Sequence, residues 1–520
     1  NNGLTYARQW NLRPGIALSA EQVAQLTSDM VWLVTQEVTL ADGSKQSVLV
    51  PQVYVRVQPG DVDGTGALLA GRDVQLNLSA DATNSGTIAG RNLVQINANN
   101  IQNMGGNISG AAVALLAEQD INNIGGQIQA QSAALLSAGR DINLRTTTQS
   151  STNRAGNNSF AQTGIDRVAG LYVSGSAGVL IASAGRDLNL TAAQISNQGS
   201  GLGSGTTLSA AQNINLGTVT TSSSQDIRWS GVNYLRQSNS QDVGSQINTT
   251  GNLTLSAGQD INAKAATVNA GQALSVAAQR DVNITTGQTS QSLDTANTVK
   301  SKGMMSSRTL NTRQTSQSTT AVASNLEGAS VSITAGQDLT VKGSNVLADQ
   351  AVNLSAVRNV NIEAAQNTQS QTDYRQETKS GLMSGGGIGF TVGKRQQSLD
   401  QQGQSTSAAQ STIGAINGNV TITAGQTYTQ TGSDVLTPKG DIAITAQKVD
   451  ITEARETGSQ STEQKFKQSG LTVAITSPVL SALQTVQSQL QAAGNTSSGR
   501  MQLLAGANAA FNLKQAADAL

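Results

Sequence analysis

The chain has 520 residues, with 32 Lys and Arg against 32 Asp and Glu, no Cys, no His, and only three Trp, six Tyr and four Phe. This balance leaves no electrostatic footprint for nucleic acid, and the two absent residue types exclude disulfides, thiolate or His-ligated metal, Cys-His and Ser-His-Asp catalysis, and a pH switch near neutrality. Scarce aromatics argue against an ordinary globular core and favour a narrow interior of Ile, Leu, Val and Ala, with the 53 Gly supplying corners of positive φ.

The sequence opens Asn-Asn-Gly, without an initiator Met or a signal peptide, and reads as a segment of a longer polypeptide. No apolar run approaches the roughly 18 residues of a membrane-spanning helix. Residues 1–59 read as a small α+β capping module. Its capping box, Ser19 to Gln22, predicts a helix through Val23, Leu26, Met30 and Val31, and Ala41-Asp42-Gly43-Ser44 predicts a hairpin between Glu37–Leu40 and Ser47–Val55. Such a module covers the open edge of whatever follows.

Residues 60–476 carry a repeat. Leu253 and Leu255 recur 21 residues on as Leu274 and Val276, and Ile261 and Ala263 recur as Val282 and Ile284. Within each period, apolar residues alternate with Thr, Ser or Asn and then break at a corner. A unit of this size cannot bury its own apolar face, whereas stacked units bury one continuous core. The pattern predicts an all-β fold, a parallel β-helix with coils of about 21 residues. A corner motif, Ala-Gly-Arg/Gln-Asp, marks Gly71, Gly139, Gly185, Gly258 and Gly336. Polar Ser/Thr/Gln-rich excursions of β-hairpin character interrupt the coils near 145–176, 218–246, 286–326, 365–413 and 453–470. About a dozen coils remain, a rod on the order of 55 Å long at ordinary strand spacing. Residues 477–520 lose the periodicity and read as a helical tail, with Leu480, Leu483 and Leu490 at helical spacing behind Pro478, leading to a C-terminal domain absent from this sequence.

Ala138 to Leu144 (Ala-Gly-Arg-Asp-Ile-Asn-Leu) and Asn84 to Gly90 (Asn-Ser-Gly-Thr-Ile-Ala-Gly) resemble the repeats of filamentous haemagglutinin-like, two-partner secretion exoproteins, and the likeness covers most of the chain. Residues Leu26 to Val34 and Val48 to Val55 resemble the segment preceding the second repeat region of contact-dependent growth inhibition toxins. The resemblance implies a right-handed helical shaft on a Gram-negative cell surface, a dedicated outer-membrane transporter as partner, and association with delivery of a C-terminal toxin into a neighbouring cell. The alternative it allows is an adhesin shaft serving reach and attachment.

Stacking brings Asp120 near Asp141 and Asp260 near Asp281, where like charges about 5 Å apart repel. A column of cation sites is one reading, but the calcium-binding repeat is not matched. The other is that each Asp caps its own Gly corner, with Arg72, Arg140, Arg186 and Arg280 offsetting the charge. A β-helical polysaccharide enzyme would need a singular carboxylate cluster and aromatic platforms, and the shaft offers only Trp229. The chain is therefore read as no enzyme, with no cofactor and no metal. Residues 385–393, with Ile388, Phe390 and Val392, and residues 471–475, with Leu471, Val473 and Ile475, alternate as transmembrane β-strands do. These six are the candidate membrane-interacting residues, and the expected partner on the target cell is its outer membrane or a surface receptor. The plainer reading is a hairpin lying along the flank of the coils with its apolar face down.

Overall fold

The structure, a computed structural model, describes residues 6–8, 10, 12–18, 22, 30–39, 45–54, 67–384 and 390–473. From Leu68 the chain winds into parallel coils, because its short alternating apolar runs can be covered only by a neighbouring coil. A regular coil consists of three strands and three corners. Gln246–Thr249, Leu253–Ala257 and Ile261–Lys264 form one, and Thr267–Ala270, Ala273–Ala278 and Val282–Thr285 form the next. Each strand pairs in parallel with its counterpart 21 residues on: Ile247 with Val268, Leu255 with Val276, Ile261 with Val282. The result is a parallel β-helix with three faces.

On the third face, eleven successive pairings join twelve strands, from Ala82–Asn84 to Lys448–Thr452. At about 4.8 Å per strand this stack is about 53 Å long. One interior ladder runs Ile101, Ile121, Ile142, Leu188, Ile214, Ile261, Val282, Leu339, Val360 and Tyr428, all buried. Burial pushes the Tyr428 phenol up to about 12, and its hydroxyl donates to Gln430 Oε1 at 2.8 Å. On the outward side of the same face, Asn122, Asn143, Asn189, Asn215, Asn262 and Asn283 form a ladder of amide hydrogen bonds of 2.8–3.0 Å. Asn262 is therefore half-buried in a ladder and not simply an outward-facing polar residue.

The corner glycines of the repeat are needed for a different reason from the one expected. None of Gly71, Gly139, Gly185, Gly258 and Gly336 has positive φ. At Gly258 and Gly336 an added Cβ would collide with the backbone carbonyl of the preceding coil, at Ala211 and Gln279 respectively. Close stacking of coils, and not left-handed backbone, selects glycine there.

Near the amino terminus, Met30–Thr39 pairs antiparallel with Lys45–Tyr54, and Tyr6 stacks on Trp10 with ring centroids 4.8 Å apart. The helix expected through Met30 and Val31 does not reach them. Met30 and Val34 are buried, while Val31 and Leu33 are exposed, so this run follows the two-residue period of a strand. The helical tail expected over 477–520 lies outside the described residues.

Candidate functional site

The corner between the third and first faces is where the coils differ. After the first coil, tight coils turn there on a single left-handed residue: Gly105 (φ 71°), Gly125 (61°), Ala192 (49°), Ala265 (47°), Gly343 (56°) and Gly432 (53°). From Ile142 onward these alternate with coils that send a hairpin outward from the same corner. The first hairpin is Thr148–Ala155 with Asn158–Ile165, and the second pairs residues 218–228 with Tyr234–Gly244. The third is Gly287–Lys302 with Ser306–Val322, the fourth is Ala365–Ser384 with Phe390–Ala409, and a further strand, Thr457–Val473, leaves the last coil of the described residues.

Each of the last three hairpins is pinched at its root by a buried serine. Ser245 Oγ donates to Leu190 O (2.8 Å), has Gly217 O, where the hairpin leaves, as a second acceptor at 3.2 Å, and accepts from Ala193 N (3.2 Å). Ser324 Oγ donates to Thr285 O (2.7 Å) and accepts from Ala266 N (3.0 Å), and Ser411 Oγ donates to Glu363 O (2.7 Å) and accepts from Ser344 N (3.1 Å). The serine supplies the corner partners that a continuous turn would have supplied.

The hairpins pair with one another. Asn158–Ile165 pairs with the outgoing arm of the second hairpin, and each returning arm then pairs with the next outgoing one, ending at Phe390–Ala409 against Thr457–Val473. The match has a simple origin. One hairpin contributes two strand spacings and leaves every second coil, which is also two strand spacings. The outcome is a single antiparallel sheet standing off the shaft. Its arms lengthen from 8 residues in the first hairpin to 20 in the fourth. Apart from Gly287, Ala365 and Met383, no described residue of the hairpin arms is buried, so the sheet has no core.

These placements change the reading of several residues. The hairpins do not lie face-down on the coils but are joined edge to edge. Trp229 is not on the shaft; it sits 64% exposed at the turn of the second hairpin. Of the six candidate membrane residues, Ile388 and Ile475 lie outside the described residues. Phe390 pairs with Val473, and Val392 with Leu471, so the structure brings these four together on neighbouring strands. Val392 is 52% and Leu471 77% exposed. Leu382 pairs with Val392 and completes an exposed apolar row, and Met304 and Met305 are exposed at the adjacent turn. The Gly303-Met304-Met305 sequence was the available signal for that turn, since it repeats the Gly-then-apolar pattern of Gly381-Leu382 and Gly470-Leu471.

The aspartates are paired between coils. Arg140 bridges to Asp120, Arg186 to Asp141, Arg280 to Asp260 and Arg358 to Asp338. Asp120 Oδ1 also accepts from Asp141 N, and Asp260 Oδ1 from Asp281 N, each at 3.2 Å. Each of these carboxylates thus caps the next coil's corner, and the guanidinium beside it holds Asp120 and Asp260 below the usual carboxylate range. Among the described residues, no group of three or more Asp or Glu is arranged to hold a metal. Two concavities lie on the hairpin sheet. One is lined by hydroxyl, amide and apolar side chains such as Ser151, Phe160 and Gln225, and the other has Asp373 as its one carboxylate. No helix among the described residues is long and apolar enough to cross a membrane.

Residues 230–312 and 305–415 match the Hemagglutinin repeat family. The chain is 32% identical, over 99% of its length, to "Toxin CdiA" of Yersinia pestis, of which it covers 17%. It is 36% identical over 52% of its length to "Deoxyribonuclease CdiA" of Dickeya dadantii, covering 8% of that protein. It is 28% identical over 94% of its length to "tRNA nuclease CdiA-2" of Burkholderia pseudomallei, covering 18%. The chain therefore spans less than a fifth of the length of these relatives. No solved structure matches it.

Proposed function

Taking as premise that this is a filamentous-haemagglutinin repeat region similar to CdiA toxins along almost its whole length, we propose that it is a non-enzymatic delivery segment of a secreted bacterial surface protein. In this reading an outer-membrane transporter of the two-partner type exports the protein, and the shaft presents the hairpin sheet to the outer membrane of a target cell. A toxin elsewhere in the whole protein is the cargo. The observation that carries the reading is the exposed row Leu382, Val392 and Leu471, in register on three neighbouring strands at the far end of a sheet rich in Ser, Thr and Gln. In water such a row is poorly covered, whereas a bilayer accepts it while the backbone stays paired. A polarity-sensitive fluorophore at position 390 should shift blue when outer-membrane vesicles are added, and one at position 262, on the shaft, should not. Binding of vesicles without a shift at 390 would return the sheet to decoration of an adhesin shaft.

A further inference from the structure

We infer that the outer end of the hairpin sheet docks on a bilayer whose phosphate headgroups carry a net negative charge, with the Leu382–Val392–Leu471 row at the acyl boundary and the cations Lys394, Arg395 and Lys467, unpaired among the described residues, at the headgroups. The inference rests on the membrane reading above and adds the chemistry of the surface. Three observations converge on it.

The apolar row comes first. Leu382 pairs with Val392 and Val392 with Leu471, so the three side chains lie side by side on one face, 45%, 52% and 77% exposed.

Immediately inward, Gly381, Gly393 and Gly470 stand in register across the same three strands. Gly381 has φ 101° and Gly470 φ 135°, which side chains rarely adopt, and a Cβ at Gly393 would collide with the carbonyl of Ser469. This line of glycines creases the sheet and separates the apolar row from the rest of the arms.

Just inside the crease the charge becomes one-sided. Residues 300–309, 378–384, 390–396 and 467–473 contain three, one, two and one Lys or Arg, seven in all, and no Asp or Glu, in a chain whose 32 basic and 32 acidic residues balance. Arg308 and Lys379 share Glu377, one row further in. Lys394, Arg395 and Lys467 have no ion pair among the described residues. Arg395 lies directly opposite Lys379, a like-charge juxtaposition that isolated folding disfavours and a bound anion relieves.

An exposed apolar row alone would suit a protein partner. Cations two to four residues inward, about 7–13 Å at strand rise, instead place positive charge on the headgroup side of the row. Each Lys or Arg at an anionic bilayer surface contributes about fivefold to binding.

The test uses the 520-residue chain and flotation with vesicles of phosphatidylcholine, with or without phosphatidylglycerol. Wild type should bind the phosphatidylglycerol vesicles at least about tenfold more tightly, and added salt should weaken that preference. The triple variant Lys394→Gln, Arg395→Gln, Lys467→Gln should lose about tenfold or more on phosphatidylglycerol vesicles and little on phosphatidylcholine. The double variant Val392→Ser, Leu471→Ser should lose affinity for both. Unchanged hydrogen-exchange protection over residues 253–285 verifies that each variant is folded. Equal wild-type binding to the two vesicle types, or wild-type binding by the triple variant, overturns the inference. If that happens while the probe at position 390 still shifts blue, the membrane reading survives without the headgroup chemistry. If no vesicle binds, and attachment to target cells disappears when their surface proteins are removed by protease, the occupant is a protein and both readings fall.

Discussion

The shaft and the hairpin sheet use one strand spacing in opposite ways. In the shaft every second side chain points inward, and Ile261 on Val282 on Leu339 is buried on all sides, so each coil is held by the apolar area that it removes from water. In the hairpin sheet nearly every side chain is wetted on both faces, and the strands are held by backbone pairing and cross-strand contacts such as Arg308 with Glu377. A sheet without a core is marginal by itself. The comparison shows where its order originates. The shaft fixes the hairpin roots two coils apart, and a hairpin two strands wide fills that gap.

The largest effect should come from breaking the shaft. Val282→Asp places an unpaired charge on the buried ladder at a cost of several kcal/mol. Hydrogen-exchange protection should fall across residues 253–285 and also across the third hairpin, whose root follows Thr285. Retained protection there would mean that the coil register is wrong.

A smaller loss should follow from loosening one root. Ser324→Ala removes the acceptor for Ala266 N and the donor to Thr285 O, at about 1–3 kcal/mol for the buried groups left unpaired. The exchange of Ala266 and of residues near 287 should quicken, while residues 101–145, far along the shaft, keep wild-type rates. Loss spread evenly along the chain would contradict a local clamp.

The smallest effect is acid sensitivity. Asp120 and Asp260 are held below their ordinary pKa by Arg140 and Arg280, so their contribution is present above about pH 4 and is lost as pH falls further. Thermal unfolding should show a shallow decline below pH 4, shallower still in Asp260→Asn. A variant as acid-sensitive as wild type would remove these pairs from the account.

The sequence displayed the shaft clearly because its interior repeats literally: Leu253 with Leu274 and Ile261 with Val282 are true neighbours. The hairpin sheet was far less legible. Its pairings, such as Gln237 with Leu293, join segments of similar Ser, Thr and Gln content, and such strands specify register weakly. The membrane candidates Val392 and Leu471 were visible as local alternation, but the row they form with Leu382 depends on that register. The cations Lys394, Arg395 and Lys467 come from two separate excursions and have no common sequence pattern. The helix expected to reach Met30 rested on a local capping signal, and the alternation of Met30 and Val34 against Val31 and Leu33 prevailed in tertiary packing.

The dependence of the sheet on the shaft is most directly tested by deleting residues 246–266, one complete tight coil. Ser245 would then join Thr267 at an equivalent place in the repeat, so the core ladders are preserved. The second and third hairpins would leave successive coils, with two strands competing for one spacing. Hydrogen exchange should retain protection over the coils near 214–217 and 282–285 and lose it over residues 289–296, which normally pair with the second hairpin. Full protection at 289–296 in a folded deletion variant would contradict the account, because the sheet would then hold its order without the spacing of the shaft.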